Sequence, residues 1–528
     1  MKPDLLISGG PIWTGRRTVE AVGVAAGRVV AAGSRDEVEP ALRRGWREID
    51  LEGRRAIPGL IDSHVHVLRA GLTWNDIVRW DDIASLEAGL ERIRQAAESR
   101  PGRSWIRVLG GWHPGRFVEG RGPTREELDA VGGEHPVYVQ LLYEEGVLNS
   151  KGLELVLADG DVPGVERDSE GRPTGKVRGQ PAFGRVLSLF ERPGRAEQRA
   201  STRALVADFL SRGVTGALDP GGFGITPESY NAMFDLWRSG ELEMRIRLYL
   251  VPGSRGNELA DIRDWVRYIQ PGFGDDRLRY VGMGEIVSFA CHDMEGVRPF
   301  EVTEEAKREL AEAVDVLAAH GWPVHLHAIF DSTISAVLDV FEEVDREHGL
   351  EGRRFSLAHA EAIGRRNLER VRRLGVGLAI QNRLIYRSAD SAALWGEEVA
   401  RNSPPLGDIL EMGIPLGAGT DATVVTPHDP WLAIWWLVTG ESFDGAPPRE
   451  ERHRLSIEQA LHAYTRGSAW FSFEERERGH LEPGALADVA VLSADPFAVD
   501  PSELPGIGSE LTLLGGDPVH TGPAYGGV

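Results

Sequence analysis

Between residues 56 and 421, short apolar runs with strand spacing alternate with amphipathic helical ones, and this alternation constrains the fold more than any other feature. Candidate strands cover residues 56–66, 214–219, 245–251, 280–287, 323–327, 355–359, 375–380 and 415–421. Helical patterns separate the later ones, at 303–320, 331–348 and 364–374. Thr303 suits the N-cap of the first helix; Ala306 stands three residues on, so no capping box forms. Eight strands alternating with helices predict a closed parallel (β/α)8 barrel of the TIM type. The rival, an open doubly wound sheet, usually carries a glycine-rich phosphate turn after its first strand, and the sequence has none there.

Two regions depart from the alternation. Short strands broken by turn residues occupy both ends of the chain, at 5–8, 22–25 and 28–32 and again at 488–492 and 511–514. Neither end has enough core alone. Together they predict a small β-sandwich-like domain built from 1–55 and 479–528, beside a barrel over 56–478. A chain of 528 residues is long enough for both. From about 68 to about 195 the chain inserts far more than one helix between the first two strands. This stretch holds strand-like segments at 105–109 and 136–143 and a hairpin signal at 168–171. An insertion after a barrel strand emerges on the catalytic face, so it is expected to form a lid or pocket wall.

The chemistry-bearing residues collect where barrel strands should end. In Ile61-Asp62-Ser63-His64-Val65-His66, a strand period of two turns both imidazoles to one side. Two such groups on a rigid strand can hold one zinc-like ion. His327, His359 and Asp421 close the fifth, sixth and eighth candidate strands, and polar residues at several strand ends are what a catalytic constellation requires. A divalent ion lowers the pKa of bound water toward ~7. A nearby carboxylate can then carry the released proton to a leaving nitrogen.

The run Ile57-Pro58-Gly59-Leu60-Ile61-Asp62-Ser63-His64-Val65-His66 resembles the opening motif of the amidohydrolase superfamily, and the similarity is closer to its branch of YtcJ-like and N-substituted formamide deformylase-like enzymes. Further similar stretches are Asn149-Ser150-Lys151-Gly152-Leu153, Gly171-Arg172-Pro173-Thr174-Gly175, His327-Ala328-Ile329 with Asp331, Ala463-Tyr464-Thr465 and 479–491, so the resemblance spans nearly the whole chain. It implies that His64 and His66 hold a more buried metal, His327 and His359 a more exposed one, and that Asp421 touches the metals' water and shuttles its proton. Many relatives carry a carboxylated lysine on the fourth strand. Here the matching residue is Glu285, and none of the four lysines (Lys2, Lys151, Lys176, Lys307) lies on a candidate barrel strand. A glutamate can bridge two ions through its two oxygens or serve a single ion.

Weaker expectations attach to other positions. Asp62 shares parity with His64 and is placed either to orient a ligand or as a structural hydrogen-bonder; His325 is read as a second-layer histidine. Trp74, Trp112, His113, Tyr143 and Glu144 are candidates for the substrate pocket wall, with core packing the default for the aromatics. Glu144 stands where relatives often carry histidine, and Phe330 where they usually have glycine, which points to an altered pocket. Cys291 and His292 follow the fourth strand and are expected near the mouth; Cys291 has no activating base in view and is expected to be inert.

The expected function is a metal-dependent hydrolase of a C–N bond, amide-like and N-formyl or N-acyl in type, with zinc as the expected ion. Deamination or ester and lactone hydrolysis on the same platform are the enzymatic alternatives. A non-catalytic metal- or small-molecule-binding regulator is the alternative of another class, and the presence of Asp421 argues against it. A net charge of −22 without a basic run argues against nucleic acid and anionic membranes. A single cysteine and the lack of a signal-type apolar segment point to a cytoplasmic protein acting on a small molecule. A homodimer is expected from the resemblance alone.

Overall fold

The computed structural model describes residues 3–526 apart from 144, 254 and 295–297. Eight strands follow one another in a single sheet: β1 (Leu60–Asp62), β2 (Val214–Asp219), β3 (Arg245–Leu250), β4 (Leu278–Glu285), β5 (Val324–Ala328), β6 (Ser356–His359), β7 (Gly377–Gln381) and β8 (Leu416–Gly419). Every neighbouring pair is parallel. Ser63 N–H donates to Ala418 O at 3.0 Å, which brings the end of β1 against β8. The chain thus forms the expected (β/α)8 barrel.

The helices between strands bury one stripe each. In α2 (Glu304–Ala319), Leu310, Ala313, Val314 and Leu317 recur at three- and four-residue spacing and are buried. Thr303 Oγ1 accepts the Ala306 N–H at 3.1 Å and caps its start. In α3 (Asp331–His348), Ile334, Val337, Leu338, Phe341 and Val344 do the same. A shorter α1 (Val67–Gly71) follows β1.

The expected strand over 56–66 is in fact two. Ala56–Pro58 pairs antiparallel with Val489–Leu492 in a sheet of terminal strands, and β1 begins only at Leu60. Both halves are fully buried, so the apolar pattern runs unbroken through the change of sheet. β1 stops at Asp62, so His64 and His66 lie beyond the strand and their common direction does not come from strand pleating. β8 likewise ends at Gly419, two residues before Asp421.

The terminal strands make two sheets, one of four and one of six strands, which share a core that includes Ile7, Val22, Ile49, Val489 and Leu511. The insertion has a five-stranded mixed sheet of its own, in the order Val165–Arg167, Pro173–Arg178, Glu145–Leu148, Val137–Leu141, Ile106–Leu109. Its first two strands close the expected hairpin, with Asp168 N–H donating to Arg172 O at 2.9 Å. Gly111 N–H donates to Val424 O at 3.1 Å, which docks the insertion on the loop three residues past Asp421.

Inside the barrel, Ile61, Leu218, Tyr249, Val281 and Ala379 pack around Phe471, whose carbonyl accepts the Tyr249 hydroxyl at 2.8 Å. Beneath them Arg247 forks onto Glu474 (2.7 and 2.8 Å) and Arg245 onto Asp488 (2.7 and 2.9 Å). The floor is filled and charge-paired, which leaves the C-terminal mouth of the strands for chemistry. Among the described residues no helix is long and apolar enough to cross a membrane.

Candidate metal centre

His64 and His66 sit on irregular backbone held from both sides. Val65 N–H donates to Leu218 O of β2 at 3.0 Å, and Asp421 N–H to His64 O at 2.9 Å. Asp62 braces this segment from below. Its carboxylate accepts the His64 N–H at 3.0 Å, the Thr420 N–H at 3.1 Å and the Thr420 hydroxyl at 2.7 Å, tying β1 to the exit of β8.

Hydrogen bonds fix which imidazole nitrogens keep a lone pair. The Ser356 hydroxyl donates to Val324 O, so its oxygen accepts from His325 Nδ1 at 2.8 Å. His325 Nε2 is then an acceptor, and His64 Nδ1–H donates to it at 3.0 Å. The lone pair of His64 is left on Nε2, which is buried and has no hydrogen-bond partner. His66 Nδ1 lies 2.8 Å from Gly221 O, which can only accept, so its lone pair is also on Nε2. His327 donates through Nε2 to Met294 O at 2.6 Å and faces Asp293 Oδ1 at 2.8 Å, which puts its lone pair on Nδ1. His359 is buried, and its Nδ1 has no hydrogen-bond partner. His359 and Asp421 both adopt left-handed backbone (φ 70° and 56°), a conformation costly for side-chain-bearing residues and concentrated at functional sites.

These donors converge. His64, His66 and Glu285 form one group, His64, His359 and Asp421 a second, and Glu285, His327 and His359 a third, with ligand atoms in each within 4.8 Å of one another. Glu285 Oε2 lies 3.2 Å from His64 Nε2, and Asp421 Oδ1 lies 3.1 Å from His66 Nε2. Leaving two imidazole nitrogens unpaired in a dry site is expensive. Buried lone pairs beside two carboxylates fit a divalent cation.

The two carboxylates differ in their electrostatics. Burial, joined by the charge of Glu285, pushes the Asp421 carboxyl up to about 7 against the pull of His64. Burial also acts on Glu285, but the imidazoles of His66 and His64 outweigh it and hold that carboxyl well below its usual range. Burial and neighbouring imidazoles keep His359 neutral, the form a ligand needs.

The pocket-wall candidates separate. Trp74 packs edge-on against His428 at 4.8 Å between ring centroids, next to the loop that follows Asp421. His113 stacks on Tyr386 at 5.2 Å, where the insertion meets the helix Leu384–Trp395. Tyr143 lies in the turn between Val137–Leu141 and Glu145–Leu148. Trp112 stacks on Phe117 at 5.4 Å and meets Trp80 edge-on at 5.2 Å inside the insertion's own core, the default for these aromatics, and its indole N–H donates to Gln140 O at 2.8 Å. Glu144 lies outside the described residues. Phe330 packs edge-on to Trp395 at 6.4 Å. Cys291 is buried with its thiol pushed up to about 11, which leaves it protonated and unreactive.

Asp219, Asp293 and Gly222 escaped the sequence reading, whereas His292 is where it was expected, after the fourth strand. Asp219 ends β2 and accepts the N–H groups of Leu68 (2.7 Å) and Gly221 (2.8 Å), so it positions the carbonyl that orients His66. It obeys the same strand-end rule that found His359. Asp293 faces His327 and accepts the N–H groups of Ile329 and Phe330 at 2.9 and 3.0 Å. His292 stacks on His327 at 3.9 Å. Both belong to the loop after β4, which carries no periodic signal. At Gly222, in the loop after β2 with φ 110°, a Cβ would fall 2.9 Å from His66 Cε1 and 3.1 Å from Glu285 Oε1. Only glycine lets the backbone pass this close to the donors.

The sequence pattern of the amidohydrolase family matches residues 47–520. The YtcJ protein of Bacillus subtilis (strain 168) is 26% identical over 97% of this chain and 98% of its own. The N-substituted formamide deformylase of Arthrobacter pascens is 25% identical over 92% of each. Among solved structures, a metal-dependent hydrolase from Pyrococcus horikoshii OT3 superposes with a TM-score of 0.69 at 25% identity, over 94% of this chain and 99% of that one.

Proposed function

The chain belongs to the amidohydrolase family and is a metal-dependent hydrolase of carbon–nitrogen bonds other than peptide bonds, and we propose that the bond it opens is an N-formyl or N-acyl amide. The observation that carries the reading is the convergence of His64 Nε2, left without a hydrogen-bond partner, with Glu285 and Asp421 at the barrel mouth. The similarity to a formamide deformylase supports the choice of bond. In this reading His64, His66, His327 and His359 hold zinc, as one or two ions, and Glu285 joins two ions if two are bound. Bound there, the ion supplies Lewis acidity and an acidified water.

Asp421 does the proton work. Its Oδ1 stands 3.1 Å from His66 Nε2 at the mouth, where a carboxylate beside the donors can take a proton from a water and hand it on. It takes the proton of the attacking water and delivers it to the amide nitrogen, so that the amine leaves neutral and a carboxylic acid remains. The chain His64–His325–Ser356 and the Gly221 carbonyl hold the imidazoles of His64 and His66 in tautomers that leave Nε2 free to ligate. The test is Asp421→Asn, assayed on N-formyl and N-acyl amines with the metal content measured in parallel. We expect kcat to fall by about two to four orders of magnitude while the metal is largely kept. An active enzyme whose rate survives the change sinks the proton-shuttle assignment.

A further inference from the structure

His428 lies in the same loop as Asp421, between β8 and the helix Pro430–Thr439, and its ring is buried. Its Nε2 bonds to Asp208 Oδ2 on the helix Arg195–Ser211, and its Nδ1 faces Asp81 Oδ2, in the insertion, at 3.6 Å. Burial pushes the Asp208 carboxyl up, but His428, Arg212 and Arg79 outweigh it and bring it down to about 2. The ionised Asp208 can only accept, so Nε2 is the donor. Asp81 is itself anchored: its carbonyl accepts Arg116 Nη1 at 2.5 Å, and the adjacent Trp80 is packed in the insertion's core. Trp74 and Phe209 close on the ring edge-on at 4.8 and 5.4 Å.

The ring thus joins the loop that carries Asp421 to a barrel helix and to the insertion. Apolar packing alone leaves this seam incomplete. A cavity of about 20 Å³, lined in part by Trp74, Asp81, Gly111, Thr423 and His428, remains beside the ring, with room for about one water. From the ring the loop runs back to the donors. Thr426, just before Pro427 and His428, donates its hydroxyl to Thr420 O, next to Asp421, and Ala422 O accepts the His66 N–H at 3.3 Å. A shift at His428 therefore reaches Asp421 through a loop closed on itself.

We propose that His428 is a positioning residue: it clasps the Asp421 loop to the insertion through Asp81 and to the barrel through Asp208, and so sets where the Asp421 carboxylate stands beside the donors. This role rests on the reading of Asp421 as the proton carrier and deepens it. A space-filling ring would need only Trp74 and Phe209 around it, whereas carboxylates on two separate elements call for N–H donors and fix the ring's direction. Misplacing a reacting group by about 1 Å can cost about a hundredfold in rate. The clasp also ties the insertion to the catalytic frame at a point separate from the bond between Gly111 and Val424.

His428→Phe keeps the ring packing and removes both ring nitrogens; His428→Gln returns one amide donor. For both, kcat and KM on N-formyl and N-acyl amines are measured in the wild-type and Asp421→Asn backgrounds. Hydrogen–deuterium exchange of residues 420–428 is followed in parallel, with circular dichroism to check folding. His428→Phe should lower kcat by about ten- to a hundredfold with KM within about twofold, and speed exchange in the loop by about tenfold or more. His428→Gln should recover part of both. Asp81→Asn, which loosens only the insertion's side of the clasp, should give the same changes in smaller measure and serves if His428→Phe does not fold. In the Asp421→Asn background His428→Phe should cost little more, since the group it positions is already gone. Wild-type kcat in the folded variants, loop exchange at the wild-type rate, or an equal loss in both backgrounds overturns the proposal. An Asp421→Asn enzyme that keeps its rate removes the proton-carrier reading, whereas the exchange rates judge the clasp without any substrate.

Discussion

Glu285 belongs to two of the three donor groups, the one with His64 and His66 and the one with His327 and His359. That sharing makes Glu285→Gln the most informative substitution in the centre. The side chain keeps its shape and one acceptor oxygen but loses its charge. A unit negative charge facing a doubly charged ion at ~4 Å, in an effective dielectric of ~20, is worth about 8 kcal/mol. The carboxylate's own desolvation, several kcal/mol, disappears with it and offsets part of that loss. The net effect is about 3–5 kcal/mol, or two to four decades in metal affinity at 1.4 kcal/mol per decade. If Glu285 joins two ions, both subsites should weaken together. His327→Ala, which touches only the third group, should weaken one. The assay is the zinc-to-protein ratio after equilibration at a series of buffered free-zinc concentrations. A Glu285→Gln protein that fills the same number of sites at the same free zinc would refute the reasoning. A wild type that saturates at one ion would refute the bridge while leaving Glu285 as a ligand.

Two further outcomes follow from positions outside the donor set. His453 is fully buried, and its Nδ1 accepts the Gly407 N–H at 3.1 Å, so it must be neutral to do its work. Burial, with Arg452 and Arg449 nearby, lowers it to about 4. Its stabilising effect is therefore complete above the unfolded value of ~6.5 and is lost as pH falls toward 4, by about 3 kcal/mol. The urea midpoint should drop over that window, and His453→Gln should flatten the drop; an equal slope in the variant would exclude His453 as its source. Gly110 has φ 72°, and a Cβ there would stand 2.0 Å from Val424 O. Gly110→Ala should push the loop that carries Asp421 and lower kcat by about tenfold or more, for a stability cost of about 1–3 kcal/mol. Wild-type kcat in a measurably destabilised variant would show that the insertion does not position this loop.

The barrel was readable because its strands are short apolar runs at regular intervals and its helices carry one buried stripe each. Sheet identity was not. The run from Ala56 to Asp62 is buried throughout, so nothing in its hydrophobicity marks the crossing from the terminal sheet into the barrel. His64 and His66 were singled out for sharing a strand face, yet both lie past the strand, and it is the bonds to Leu218 and from Asp421 that hold the segment. The sequence rule found residues that the structure brings together because strand ends are where the closed barrel gathers side chains, whatever the local backbone does. Trp112 packs in the insertion's own core, and periodicity carries no information on which core such an aromatic joins.

The orienting groups were harder to read than the donors because they belong to the closed ring rather than to any one segment. Asp62 meets Thr420 across 358 residues of chain, and His64 meets His325 across 261. These contacts decide the chemistry. Without Ser356 to receive its proton, His325 could take the other tautomer, donate from Nε2 to His64 Nδ1, and force the proton of His64 onto Nε2, where no ligand lone pair would remain. A buried serine on β6 thus helps set which nitrogen of His64 keeps its lone pair. Ser356→Ala removes that acceptor without touching a donor, so it should weaken zinc binding by about ten- to a hundredfold, as loss of an outer-shell partner commonly does. Zinc affinity equal to wild type in a folded Ser356→Ala protein would mean that the tautomer of His64 is set by the ion itself, and that the Ser356–His325–His64 chain follows the metal rather than preparing its site.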